Sequence, residues 1–144
     1  LNIVADLFPI RSSLTGIHAG LFAAQNPHAL VIACDMPLVQ PSLLTYIVQV
    51  AEPRWDVVIP QTRKGKEPLM AVYSKRCLKF MEENLRNGQY RVQGFFPKVR
   101  VKAIEEDALR RHDPHLISFL NINTPGDLAR AETHLMHREN DTMD

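Results

Sequence analysis

The chain has 144 residues, of which 45% are hydrophobic, and this composition fits one globular domain with a substantial core. Lysine and arginine number 17 against 16 acidic residues, so the net charge of +1 gives no electrostatic reason to expect a nucleic-acid or membrane partner, and no apolar run is long enough to cross a bilayer. With only two cysteines and no secretory signal in the sequence, we expect a reduced, cytoplasmic protein without a disulfide framework.

Short apolar runs alternate with amphipathic segments in the first part of the chain. Residues 2–5 are predicted as a short strand, and residues 14–25 as a helix because apolar side chains recur there at helical spacing. Residues 29–34 form a continuous apolar run that is too short for a helix and suits a central parallel strand. After Pro41, apolar residues again repeat with the helical period, and proline is tolerated in a first turn.

The middle of the chain continues the same alternation. Residues 56–60 are predicted as a second buried strand that Pro60 ends, and residues 61–66 as a polar loop with one glycine. Residues 69–73 are predicted as a strand, and residues 78–85 as a helix. The order of these elements indicates strands with helices packed on their faces.

The last part of the chain adds one more strand and one more helix. Residues 99–104 alternate apolar and basic side chains, which is typical of a half-exposed or edge strand. Thr124 is predicted to cap a helix that begins after residues 119–123. We therefore predict an α/β fold with a Rossmann-like, mainly parallel sheet in a single domain over residues 1–138, followed by a flexible tail at residues 139–144.

Asp35 is the first candidate functional residue, because it follows the most hydrophobic predicted strand. In open α/β sheets, ligands bind at the carboxyl ends of the strands. A carboxylate there is a good hard-oxygen ligand for Mg²⁺, which typically takes one or two protein carboxylates and bridges substrate phosphates. A structural alternative is equally open from this residue alone: Asp35 caps the next helix or forms a turn with Pro37.

Polar side chains at three other places are weaker candidates. Asn121 and Asn123 point to the same face if they lie on a strand, where paired amides orient phosphates, hydroxyls or a hydrated metal; the residues alone favour turn and cap roles beside Thr124. Glu67 precedes a proline and is held extended, so it contacts a polar substrate or is an ordinary loop acid. Arg91 is a candidate phosphate ligand, with an exposed helical arginine as the ordinary alternative.

Four motifs follow one another along the chain, at residues 14–21 (LTGIHAGL), 33–37 (ACDMP), 67–73 (EPLMAVY) and 121–125 (NINTP). In this order they strongly resemble the molybdenum cofactor guanylyltransferases, called MobA. The resemblance extends from residue 6 to about residue 135, and its specificity comes from the order of the four motifs. It implies the glycosyltransferase-A-like variety of the Rossmann-type sheet, found in nucleotidyltransferases.

The resemblance implies transfer of GMP from GTP to the phosphate of molybdopterin, which yields the guanine dinucleotide form of the cofactor and pyrophosphate. Asp35 matches the family's magnesium ligand beside the nucleotide phosphates, so Mg²⁺ is the implied cofactor. Asp6 matches an acid that helps to hold the nucleotide, and Gly16 lies in the motif that makes backbone contacts to it. Four residues match the side that receives the pterin: Glu67, Arg91, Asn121 and Asn123.

The resemblance also implies partners beyond GTP and molybdopterin, namely other molybdenum-cofactor biosynthesis proteins and molybdoenzyme-maturation chaperones. Two departures from the family pattern are visible. Residues 12–16 read SSLTG where family members usually have GPLAG, and the family's glycine-rich phosphate loop is not among these 144 residues. We therefore expect that the domain is truncated at its N-terminus and that these 144 residues are inactive without the loop. We also expect a first βα segment to precede them in the native protein.

Three other functions remain open from the sequence. A related transferase uses CTP and makes the cytosine dinucleotide. Another nucleotidyltransferase of the same fold acts on a sugar phosphate or phospho-acid, because fold does not determine function. The third alternative is a non-catalytic binding or assembly domain.

Overall fold

A computed structural model describes residues 12–120, 124–130 and 132–133 of the chain, together with the backbone of residues 2–5. Asp6, Asn121, Asn123 and the predicted tail lie outside the described residues. Between residues 2 and 119, the described part contains six strands, four α-helices and three 3-10 segments, and residues 125–130 are helical as well. The strands are β1 Asn2–Ala5, β2 His28–Ile32, β3 Val57–Thr62, β4 Gly65–Lys66, β5 Met70–Ser74 and β6 Val101–Ile104. The helices are α1 Ser13–Ala23, α2 Pro41–Val50, α3 Leu78–Arg86 and α4 Glu106–Arg110, and the 3-10 segments are Lys75–Cys77, Val92–Lys98 and Ile117–Phe119.

The strands form one mixed sheet in the order β1-β2-β5-β3-β4, with β6 paired to β3. β1 runs parallel to β2, and β3 runs parallel to β6, whereas β5 is antiparallel to both of its neighbours. β5 reverses direction because only a hairpin and a short link join it to β3, and a parallel return needs a longer crossover. The predicted α/β class is confirmed, with one antiparallel strand inserted in a sheet whose other long strands share a direction.

Both faces of the sheet are covered, which explains the continuous apolar runs in its central strands. Successive side chains of a strand point to opposite faces, and β2 and β5 divide their residues between two core clusters in this way. One cluster packs under α1 and α3 and includes Ala29, Val31 and Tyr73. The other packs under α2 and α4 and includes Leu30 and Val72.

The strand at residues 56–60 and the loop at residues 61–66 were predicted with the wrong boundary. β3 continues past Pro60 to Thr62, and β4 pairs with its end to form a hairpin. Pro60 lacks an amide hydrogen, but its carbonyl oxygen still accepts a hydrogen bond of 3.0 Å from the Glu67 N–H, so the proline does not end the strand. Gly65 has a φ of +113°, which its missing side chain permits and which lets the chain reverse tightly.

The other predicted elements are confirmed, with ends shifted by a few residues. α2 begins at Pro41, as expected for a first-turn proline. β6 carries partly exposed side chains before Ile104, in agreement with a half-exposed strand. The Thr124 hydroxyl accepts a hydrogen bond of 3.1 Å from the Asp127 N–H, which confirms the predicted cap on helical residues 125–130. None of the helices in the described ranges has the length and apolarity needed to cross a membrane.

Asp56 connects the start of β3 to two neighbouring segments. Its Oδ1 accepts a hydrogen bond of 2.5 Å from Arg76 Nε, and its Oδ2 accepts one of 3.0 Å from the Arg100 N–H. Burial by itself would raise the pKa of Asp56, but the Arg100 N–H and the hydrogen bond and charge of Arg76 outweigh it and hold the pKa below its ordinary value of 3.8. The ionised form is therefore the form that the fold favours.

We expect Asp56→Asn to lower the free energy of unfolding at pH 7 by about 1–2 kcal/mol, since the amide cannot form a charged pair with Arg76. A pKa that is lower in the folded than in the unfolded chain contributes stability above pH 3.8, and that contribution disappears as the pH falls below this value. Urea unfolding of the variant and the unchanged protein at pH 7 and pH 3 measures the difference. Asp107→Asn, at an exposed acid of α4, is the control, and equal losses from both substitutions would contradict the assignment.

Candidate functional site

Asp35 lies in the turn that follows β2 and is half-buried. The loop that carries it is held at both ends. Before it, the Ala33 N–H donates a hydrogen bond of 2.8 Å to the Leu69 carbonyl, which continues the pairing of β2 with β5. After it, the Gln40 N–H donates one of 2.9 Å to the Ser118 hydroxyl. The carboxylate is thus positioned at the carboxyl end of a central strand, as the sequence predicts.

Glu67 lies in the short link between β4 and β5, and its backbone and side chain are both tied down. Its N–H donates to the Pro60 carbonyl at 3.0 Å, and its Oε1 accepts a hydrogen bond of 3.2 Å from the Leu69 N–H. Beneath it, the fully buried Tyr73 donates its hydroxyl to the Pro68 carbonyl at 2.6 Å. The link is therefore a rigid support for the Glu67 carboxylate.

Asp35 and Glu67 are near enough to influence one another electrostatically. Burial raises the pKa of Glu67, and the negative charge of Asp35 raises it further, while the hydrogen bond from the Leu69 N–H acts in the opposite direction. Two carboxylates at one edge of a sheet repel each other until a cation neutralises them. This pair of residues, far apart in the sequence, is what the fold brings together at the predicted site.

The donor atoms of this pair fit Mg²⁺. Mg²⁺ prefers oxygen ligands and usually takes one or two carboxylates together with water and substrate phosphates. In the described part of the chain, no group of three or more histidine, cysteine and acidic side chains is arranged to hold a metal by itself. A metal that uses Asp35, with Glu67 beside it, would therefore depend on the substrate for its remaining ligands.

A cleft of about 370 Å³ adjoins Glu67. It lies between the β3–β4 hairpin and the segment after α4 and is lined by Thr62, Arg63, Lys64, Gly65, Lys66, Glu67, Glu106, Arg110, His115, Leu116, Phe119 and Leu120. The basic residues of the hairpin lie within one short run of the sequence, residues 63–66 (RKGK). This run could have indicated a positively charged surface there. Nothing in the sequence connects Arg110 to the hairpin, because only the packing of α4 beside β3 brings it there.

Gly16 is the fourth residue of α1 and lies near the end of the helix at which the helix dipole is positive. Ser12 caps this helix: its hydroxyl accepts a hydrogen bond of 3.2 Å from the Thr15 N–H. β1, which precedes α1, is parallel to β2 and ends in register with it, with Ala5 opposite Ile32. The chain therefore leaves β1 at the edge of the sheet at which Asp35 follows β2.

The structure thus unites some of the predicted site residues and leaves others apart. The loops of Asp35 and Glu67 meet at the hydrogen bond between the Ala33 N–H and the Leu69 carbonyl, and Arg91 is exposed where the 3-10 segment Val92–Lys98 begins. Among the described residues, no hydrogen bond or ion pair connects Arg91 to either carboxylate. Asp6, Asn121 and Asn123 lie outside the described residues, so their roles stay predictions.

The burial of the Glu67 carboxylate, together with its repulsion by Asp35, predicts that removing its charge stabilises the fold. We expect Glu67→Gln to raise the free energy of unfolding at pH 7, without metal, by about 0.5–1 kcal/mol, because the amide keeps an acceptor for the Leu69 N–H and removes a half-buried charge. A pKa raised in the folded state costs stability as the pH rises above 4.5, so the gain should vanish at pH 4. Urea unfolding at the two pH values tests this, with Glu105→Gln as the exposed control. A loss of stability at pH 7 would contradict it.

Comparison with known proteins places this chain in a family. The family model described as "MobA-like NTP transferase domain" matches residues 1–101. A molybdenum cofactor guanylyltransferase from Desulfosudis oleivorans is 44% identical over 130 residues, which cover 90% of this chain and 64% of that protein. A probable molybdenum cofactor guanylyltransferase from Pelotomaculum thermopropionicum is 41% identical over 131 residues, which cover 91% of this chain and 63% of that protein. The chain thus spans just under two thirds of the length of these relatives.

A solved structure supports the same family assignment. The crystal structure of molybdopterin-guanine dinucleotide biosynthesis protein A from Archaeoglobus fulgidus is 33% identical and superposes with a TM-score of 0.76, covering 92% of this chain and 67% of that one. The α/β arrangement of strands and helices and the match to the family model agree with this likeness. The chain belongs to the family of MobA-like NTP transferase domains.

Proposed function

We propose that the protein to which this chain belongs transfers GMP from GTP to the phosphate of molybdopterin with the help of Mg²⁺. The observation that carries the proposal is that Asp35 and Glu67 lie on loops joined through Leu69 at the carboxyl end of β2, in a MobA-like NTP transferase domain. The relative that is 44% identical is named a molybdenum cofactor guanylyltransferase, which favours GTP and molybdopterin as the substrates.

In the proposed reaction, a phosphate oxygen of molybdopterin attacks the α-phosphorus of GTP. The new P–O bond joins the two phosphates, the bond between the α- and β-phosphates breaks, and pyrophosphate leaves with the electron pair. Bound Mg²⁺ would neutralise the negative charge on the phosphates. Asp35 contributes a fixed carboxylate for this ion and does not carry a proton. Its fixed position depends on the hydrogen bonds at both ends of its loop.

The remaining site residues divide between the two substrates in this proposal. Asp6 and Gly16 belong to the nucleotide side, and the chain leaves β1 toward α1 at the edge of the sheet at which Asp35 follows β2. The residues of the acceptor side are Glu67, Arg91, Asn121 and Asn123. The assignment of Glu67 to the acceptor side is supported by two observations: Glu67 lines the cleft, and the charge of Asp35 acts on its carboxylate. A cytoplasmic location and the contacts with cofactor-biosynthesis proteins and maturation chaperones are predictions that follow from the composition and the family.

Calorimetric titration of GTP and CTP into the full-length protein, with Mg²⁺ and then with a chelator, tests the proposal. We expect GTP to bind more tightly than CTP and only with Mg²⁺ present, and added molybdopterin to release pyrophosphate from GTP. Tighter binding of CTP would indicate that the protein is a cytidylyltransferase and not a guanylyltransferase. GTP consumed with a sugar phosphate but not with molybdopterin would indicate another transferase of this fold. No nucleotide binding would indicate a non-catalytic domain.

A further inference from the structure

The cleft beside Glu67 concentrates positive charge. Its lining contains four basic side chains against two acidic ones, which gives a net charge of 4 − 2 = +2 with His115 neutral, in a chain whose whole net charge is only +1. The basic residues are Arg63, Lys64, Lys66 and Arg110, and the acidic residues are Glu67 and Glu106. Walls of low polarity strengthen such a local field, so the cleft attracts an anion.

Glu106 holds the two walls of this cleft in position. Its Oε1 accepts a hydrogen bond of 3.3 Å from the Arg63 N–H, and its Oε2 lies 3.7 Å from Arg63 Nε and 3.5 Å from Arg110 Nε. Arg110 also donates from Nη1 to the Pro114 carbonyl at 2.8 Å. The Arg110 guanidinium is therefore oriented before a ligand arrives, which lowers the entropic cost of binding.

The wall opposite the hairpin is apolar. Leu116, Phe119 and Leu120 are half-buried and line the cleft from the segment after α4. A volume of about 370 Å³ lies within the range of small-molecule sites, which combine an apolar lining with a few fixed polar groups. A flat heterocycle with a negative charge satisfies both parts of this lining, since its ring packs on the apolar wall and its charge faces the basic residues.

We propose that this cleft binds the negatively charged acceptor of the guanylyl transfer, with Arg110 as its principal charged contact and Lys66 as a second one. The inference rests on the proposed function, because it assigns the acceptor to one side of the same site. Glu67 is the link: it lines the cleft and also lies in the electrostatic field of Asp35. In this proposal the nucleotide lies at Asp35 and the acceptor lies in the cleft, with Glu67 between them.

The test uses the full-length protein and its Arg110→Gln and Lys66→Gln variants. Arg111→Gln is the matched control, because Arg111 is the exposed neighbour of Arg110 and does not line the cleft. Direct binding of molybdopterin is followed by pterin fluorescence without nucleotide, and the KM values for molybdopterin and GTP are measured separately. We expect Arg110→Gln to weaken molybdopterin binding and raise its KM about tenfold, as expected for the loss of a charge-assisted contact. Lys66→Gln should have a smaller effect in the same direction, while the affinity for GTP stays unchanged.

The possible outcomes separate this inference from the proposed function. Equal molybdopterin affinities for Arg110→Gln and Arg111→Gln, or no binding of molybdopterin by the unchanged protein, would overturn the cleft assignment. Binding that Arg110→Gln weakens, without any transfer from GTP, would support the cleft assignment and overturn the proposed function. Added salt should weaken molybdopterin binding less in Arg110→Gln than in the control, which a purely structural role of Arg110 would not produce.

Discussion

Asp35→Asn is expected to lower the rate of guanylyl transfer by about 10³-fold and to remove the dependence of GTP binding on Mg²⁺. The amide is neutral and nearly the same size, so it can occupy the same turn after β2 but is a far weaker ligand for a hard cation. Because Asp35 also repels Glu67, its loss should not destabilise the metal-free fold. Single-turnover kinetics and GTP titration with and without Mg²⁺ measure the two effects.

Asp107→Asn is the control for this substitution, since it makes the same chemical change at an exposed acid of α4. We expect it to leave the transfer rate unchanged. If Asp35→Asn retained the rate of the unchanged protein, Asp35 would not be a metal ligand. Its role would then be structural, in the turn after β2; the cap of α2 that the sequence also left open lies at Gln40 and not at Asp35.

Asp113→Ala is expected to have the largest effect on stability, a loss of about 2–4 kcal/mol. Asp113 is only 2% exposed, and its carboxylate accepts hydrogen bonds of 3.2 Å from the Ile117 N–H and 2.9 Å from the Ser118 N–H. Alanine leaves these donors without their acceptor in a buried turn. The fully buried Ser118 accepts the hydrogen bond from Gln40 at the end of the Asp35 loop, so activity should fall as well.

Chemical denaturation of Asp113→Ala and Asp113→Asn distinguishes the roles of the side chain. Asparagine retains one carbonyl oxygen, so we expect it to recover part of the lost stability. The transfer rate should be measured well below the unfolding temperature of each variant, so that a displaced Asp35 loop is not confused with unfolded protein. An unchanged free energy of unfolding in Asp113→Ala would show that the two N–H groups find other partners.

The element types could be predicted because they depend on local patterns. The continuous apolar run that became β2 and the proline at the start of α2 each reflect a preference of a few neighbouring residues. The extension of β3 past Pro60 could not be predicted in this way, because it depends on a hydrogen bond to Glu67, a residue that the chain reaches only after the hairpin turn.

The sequence by itself determined the α/β class, the place of Asp35 after a buried strand, and the family, through four motifs whose order is a property of the chain alone. Only the tertiary structure decided that β5 runs antiparallel, that Glu67 lies in the field of Asp35, and that Arg110 shares a cleft with the hairpin. The physical reason is the distance along the chain over which each interaction acts. Helix and strand preferences act over a few residues, whereas electrostatic contacts and clefts form between segments that only the packing of the sheet and its helices brings together.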